Sequence, residues 1–206
     1  MNLRSEDIAL ELEKGRSDPD DPLIIAPEPS LDELRKSGSA SVDLRLGCWL
    51  LFLRQARLPC LTIADDKSQE AAAHKLSRYH YVRFGDSFYL HPRSFVLGCT
   101  LEWVRLPRHF TAIVTGKSSW GRRGLVIATA TGVHPGFTGC LTLEITNLGE
   151  IPIELHPGMP ICQLFIHELR GPSKYGDQSN FAGQRRPVPG LVRTDDFSRL
   201  LSPQKD

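Results

Sequence analysis

Residues 138–147 read TGCLTLEITN. Leu141, Leu143 and Ile145 recur at every second position, and Thr142, Glu144 and Thr146 fill the places between. Successive side chains of an extended chain point to opposite faces, so this spacing predicts a β-strand with one apolar and one polar face. The polar face carries a single carboxylate. It has two readings. Glu144 either points outward from a half-solvated strand, or it faces a pocket. In a pocket, lost hydration raises a carboxyl pKa toward the range where the group can pass a proton.

The same pattern continues on both sides. Upstream, SVDLRLGCWLLFL (41–53), RYHYVRF (78–84), DSFYLHP (86–92), SFVLGCTLEWVRL (94–106), HFTAIVTG (109–116) and GLVIATA (124–130) are short, rich in β-branched and aromatic residues, and split by Gly and Pro. Downstream, IPIELHPG (151–158) and PICQLFIHEL (160–169) follow. A series of this kind predicts an all-β barrel or sandwich. Before it, SEDIALELEK (5–14) predicts a helix capped by Ser5 or Asp7, packed through Leu3, Ile8 and Leu12, and ended by Gly15. The prolines of SDPDDPLIIAPEP (17–29) predict an extended or turn-rich connection, and LDELRKSG (31–38) one or two helical turns. DDKSQEAAAHKLS (65–77) reads as a helical or mobile insertion.

The chain of 206 residues is long enough for one core. We expect one domain over 1–170 and an arm over 171–206, where GPSKYGDQSNFAGQRRPVPG (171–190) has few core residues. Two readings fit the arm: a loosely attached tail, or a segment that orders on a ligand or partner subunit through Phe181, Gln184, Arg185 and Arg186. A net charge of +1 gives no global attraction for nucleic acid or an anionic membrane, so anion binding must be local. No apolar run reaches the length of a membrane span, and MNLRSEDIALELEKG has no apolar signal core, so a cytoplasmic location is expected. Cys48, Cys60, Cys99, Cys140 and Cys162 form no CxxC pair and read as small core residues.

A local anion site has one candidate. Gly116 and Gly124 bracket Lys117, Ser118, Ser119, Arg122 and Arg123 in GKSSWGRRG. Turn amides, hydroxyls and cations together suit a phosphate chain, although the order is not that of a Walker loop. A charged surface turn is the alternative. Trp120 reads as packing beneath it. In GVHPGF (132–137) His134 is a turn residue, a ligand contact or a base. The seven histidines form no HExxH, and no HxE precedes a PCxxC, so a protein-held catalytic zinc is not expected. Magnesium carried by a polyphosphate substrate remains compatible with the sequence.

Taken in order, SASVDLRLG, GDSFYLHPRSFVLGCTLEWVRLP, GKSSWGRRGL, HPGFTGCLTLEITNLGEIPIELHPGMPICQL and the late FAGQ closely resemble the dCTP deaminase family, whose trimeric β-fold is shared with dUTPases. The resemblance implies a β-clip, a distorted barrel of the dUTPase-like type. It implies zinc-free hydrolysis of dCTP, or a related cytosine nucleotide, to dUTP and ammonia, with Mg2+ bound to the triphosphate. It implies a homotrimer with its sites between subunits. Carried over by motif, Glu144 is the base for the attacking water, and Arg122 and Ser118 belong to the substrate site. Lys117 precedes that serine as a cation. The TA element falls on Thr129 and Ala130, with Thr131 beside them, at the cytosine and the water. Gln184 is implied as a contact to the triphosphate, with Ser119 and Phe181 nearby. The chain departs from the family at His134, where an aspartate is usual at the sugar. It departs at LVIATAT (125–131), about one residue shorter than usual, and at Asn180–Phe181, where a lysine–tyrosine pair is usual. A dUTPase-like pyrophosphatase and a non-catalytic nucleotide-binding homotrimer stand as the alternatives.

Overall fold

The computed structural model describes residues 1–17, 20–53, 71–73, 75–128, 132–173 and 183–190. The expected β-rich clip is found, built from three antiparallel sheets, none of them closed into a barrel. The six-stranded sheet runs β4 (Ser77–Tyr81), β3 (Trp49–Leu53), β6 (Phe95–Arg105), β10 (Thr138–Asn147) and β8 (Leu125–Ile127), and β1 (Ile24–Ala26) also pairs with β6. The four-stranded sheet runs β2 (Val42–Arg45), β12 (Pro160–Glu168), β7 (Phe110–Gly116) and β9 (Gly132–Val133). A ribbon of β11 (Ile153–Leu155) and β5 (Phe88–Leu90) completes the set.

The core follows from the alternation. Leu143 and Ile145 of β10, Val96 and Val104 of β6, and Leu164 and Ile166 of β12 are all fully buried. Ile8, Ala9 and Leu12 of helix α1 (Ser5–Ser17) join the same cluster, as Leu3 does. The cap of α1 is on Arg4, whose backbone N–H is held by the Asp7 carboxylate at 3.0 Å, half of a capping box. Gly15 does not end the helix, which continues to Ser17. A Cβ there would stand 3.0 Å from Leu23 O and from Pro22 Cβ, so this glycine serves close approach of the returning chain. Helix α2 (Leu31–Ser37) forms where expected, capped by the Ser30 hydroxyl and stopped by Gly38 at φ 62°.

Of the 65–77 segment, the described residues 71–73 and 75–76 are helical and Ser77 opens β4. Cys99 and Cys162 are core residues, and burial pushes both thiols up to about 12. Cys48 and Cys140 are only half-buried, and Cys60 lies outside the described residues.

Candidate active site

The polar face of β10 is half-buried. Thr142, Glu144 and Thr146 are of intermediate exposure, while Leu141, Leu143, Ile145 and Asn147 are inside. Glu144 stands opposite Leu97 of β6, and its carbonyl accepts the N–H of Ala128 at 2.8 Å. Two neighbouring strands therefore fix the direction of its side chain. The foot of the strand is locked by Asn147, whose amide donates to Leu90 O at 2.9 Å and Ile151 O at 2.8 Å and accepts from Gly149 N–H at 2.8 Å. A fully buried amide with its bonds made is a rigid joint.

The serine–arginine turn leaves β7 through Lys117 and makes a short helix, α3 (Ser118–Gly121), with Arg122 as its C-cap. Trp120 packs on the core and donates its indole N–H to Pro160 O at 2.9 Å, as expected of a residue beneath the turn. Arg123 lies 5.6 Å over the Trp120 ring. Ser118, Ser119 and Arg122 are exposed. The turn closes at Gly124, with φ 89°, where a Cβ would come within 2.7 Å of Gly149 N. Gly124 O accepts Leu148 N–H at 2.8 Å, so the turn is fastened to the end of β10.

Lys117 is ion-paired. Its ammonium pairs with Asp43 of β2, and Gln163 of β12 donates to the same carboxylate at 3.2 Å and to the Ser41 hydroxyl at 3.3 Å. This polar chain belongs to the four-stranded sheet, whereas Glu144 belongs to the six-stranded one. A cleft of about 510 Å3 opens beside it, lined in part by Asp43, Gln163, Arg45 and Glu102. Glu102 is 3% exposed but satisfied, because Arg45 gives it a backbone N–H at 2.8 Å and its Nε–H at 2.6 Å.

Sequence reasoning passed over Asp43 and Gln163. Their motifs, SVDL and ICQL, were visible, but partners so far apart along the chain meet only through sheet pairing. His134 is exposed at the turn between β9 and β10, where its carbonyl accepts Phe137 N–H at 3.1 Å. Gln184 lies against β10, its carbonyl taking Cys140 N–H at 2.7 Å. Thr129, Ala130, Thr131 and Phe181 lie outside the described residues. Among the described residues no three of His, Cys, Asp and Glu converge as a bound metal requires.

The family model for dCTP deaminase-like proteins matches residues 17–169. The chain belongs to the dCTP deaminase-like family. Over 201 residues it is 39% identical to a "dCTP deaminase, dUMP-forming" of Halobacterium salinarum, covering 95% of this chain and 96% of that protein. It is 37% identical over 200 residues to a "dCTP deaminase" of Natronomonas pharaonis, at 95% and 96% coverage. Its fold is similar to the crystal structure of 2'-deoxycytidine 5'-triphosphate deaminase from Agrobacterium tumefaciens, with a TM-score of 0.57 and 21% identity over 81% of this chain. The chain spans about half the length of that protein, 47%. Within the dCTP deaminase-like family, the match takes in both β10 and the serine–arginine turn.

Proposed function

We propose that the chain hydrolyses the exocyclic amine of dCTP, releasing ammonia and dUTP, with Glu144 as the general base. The observation that carries this reading is the half-buried carboxylate on the face of β10 turned away from the core. Water adds to C4 of the cytosine as Glu144 takes its proton. The C4–O bond forms and that proton is delivered to N3; as C4=O forms, the remaining hydroxyl proton passes by way of Glu144 to the amine, and the C4–N bond breaks as ammonia leaves. Fixed donors must meet the charge that develops on the ring and the water, and Thr129, Ala130 and Thr131 are assigned that place. The triphosphate, with its Mg2+, is held by Ser118, Arg122 and Gln184, with Lys117, Ser119 and Phe181 supporting, so that the ring is kept in register with the base.

The site is completed between copies in a homotrimer. Exposed Ser118, Ser119 and Arg122 support this, because hydroxyl and cationic groups at the rim of one chain suit a pocket closed by another. The protein is read as acting in the cytoplasm, a location in which the four described cysteines would stay reduced. Residues 1–170 form the catalytic body and 171–206 the arm.

A second reading, release of dUMP after both deamination and pyrophosphate cleavage, is favoured by the dUMP-forming activity named for the Halobacterium relative. His134 in place of the family's aspartate weighs against it. A panel of dCTP, CTP, dCMP, dUTP and 5-methyl-dCTP with magnesium, resolved by chromatography, separates the readings. The expected products from dCTP are dUTP and ammonia. Formation of dUMP and pyrophosphate would replace the first reading by the second. No ammonia from any cytosine nucleotide would leave a dUTPase-like pyrophosphatase if dUTP is cleaved, and a non-catalytic nucleotide-binding homotrimer if it is not.

A further inference from the structure

Residues 183–187 lie on the chain's own six-stranded sheet. Gly183 N–H donates to Thr138 O at 2.6 Å and Gln184 O accepts Cys140 N–H at 2.7 Å, which places Gln184 in a parallel bridge with Gly139. Further along, the Tyr79 hydroxyl donates to Pro187 O at 2.9 Å, and the Arg186 guanidinium sits 4.2 Å from the centre of the Trp49 ring. Tyr79 meets Trp49 edge-on at 6.2 Å, so indole and phenol form one platform. Gly139 is the socket. At φ 144°, a Cβ there would be strained and would stand 3.1 Å from both N and O of Gln184, so a glycine lets the segment seat closely.

The position of the bridge has a metric consequence. From Gly139 to Glu144 along β10 the rise is about 3.4 Å per residue, roughly 17 Å in all before the irregularity at Cys140–Thr142 shortens it. That span is comparable with an extended nucleoside triphosphate from its base to its last phosphate. A segment fixed at Gly139 therefore stands one nucleotide length from the proposed base.

We propose that Gly139, Trp49 and Tyr79 are positioning residues for the turnover of dCTP: they seat 183–187 in cis and hold Gln184 at the phosphate end, with Arg186 as the anchor of the segment and not a ligand of the phosphates. This rests on the reading that Gln184 meets the triphosphate. The chemistry of the anchor suits the role. A guanidinium is planar and weakly hydrated, and its face stacks well on an indole. The hydroxyl of Tyr79 then fixes the next carbonyl, so that rotation about the stacked pair is also prevented.

The test uses the full chain and two readouts, steady-state kinetics with dCTP and hydrogen exchange at the Gly183 and Cys140 amides. The double variant Arg186→Ala/Tyr79→Phe alters exposed side chains of the platform and leaves the proposed catalytic groups intact. It is expected to speed exchange at both amides roughly tenfold and to raise KM roughly fivefold to tenfold, the size of one cation–π contact and one hydrogen bond, with kcat within about twofold. Gln184→Ala is expected to raise KM comparably while both amides exchange as before, since it keeps the backbone bridge. Unchanged exchange in the double variant would overturn the clamp. Faster exchange with unchanged KM, while Gln184→Ala raises KM, would overturn its positioning role. A raised KM with unchanged exchange would make Arg186 a direct phosphate ligand. An unchanged KM in Gln184→Ala would instead remove the reading of Gln184 beneath the proposal, whatever the exchange data show of the docking.

Discussion

Strand β10 and the turn 116–124 carry the two halves of the proposed chemistry, and they are specified in different ways. On β10 every side-chain direction follows from its place in a two-residue period, and pairing with β6 and β8 only confirms that direction. On the turn, adjacent cations have unrelated fates. Lys117 is paired with Asp43, Arg123 is exposed but lies over Trp120, and Arg122 is exposed as the C-cap of the short helix. A strand distributes its groups by a local rule. A charged turn distributes them according to whichever partners the rest of the fold brings within reach.

The strongest test of this contrast removes the carboxylate without disturbing the strand. Glu144→Gln should lower kcat on dCTP by about a thousandfold, within the range for loss of a general base, while dCTP binding and Tm stay near the wild-type values. Ammonia release at the wild-type rate in that variant would end the proposed role of Glu144.

The joint between the two regions comes next in size. Gly124→Ala introduces a Cβ at φ 89° facing backbone atoms of Gly149 at 2.7 and 2.9 Å. Strain of about 2–3 kcal/mol should result, lowering Tm by roughly 5–10 °C. A thermal scan that superimposes on the wild type would show that the turn is not fastened to β10 at this point.

The two arginines sharpen the comparison within the turn. Arg122→Ala should reduce kcat/KM for dCTP by roughly tenfold or more, as expected for a charge-assisted hydrogen bond, with little change in stability. Arg123→Ala should do the opposite. It gives up a cation–π contact of about 1 kcal/mol or less and leaves the kinetics alone. Equal kinetic losses from the two would mean that contact with Trp120 does not set a structural arginine apart from a ligand arginine here.

Much of the fold was legible before any coordinates. The period-two runs became strands, LDELRKSG became the second helix, and Trp120 packs under its turn. The failures share a cause. Gly15 resembles a helix terminator, but its missing side chain admits Leu23, a neighbour that the helix cannot announce. Asp43 and Gln163 reach Lys117 only because β12 lies between β2 and β7.

By itself the sequence determined which segments are extended, which faces of them are apolar, and that a carboxylate stands on the polar face of β10. Backbone sterics and the burial of apolar surface act within a few residues and leave their mark in the spacing of residue types. Only the tertiary structure decided which cation meets which carboxylate, where the turn is fastened, and where the described end segment docks. Those outcomes depend on strand order and register, which bring distant residues together without leaving a periodic trace in either segment.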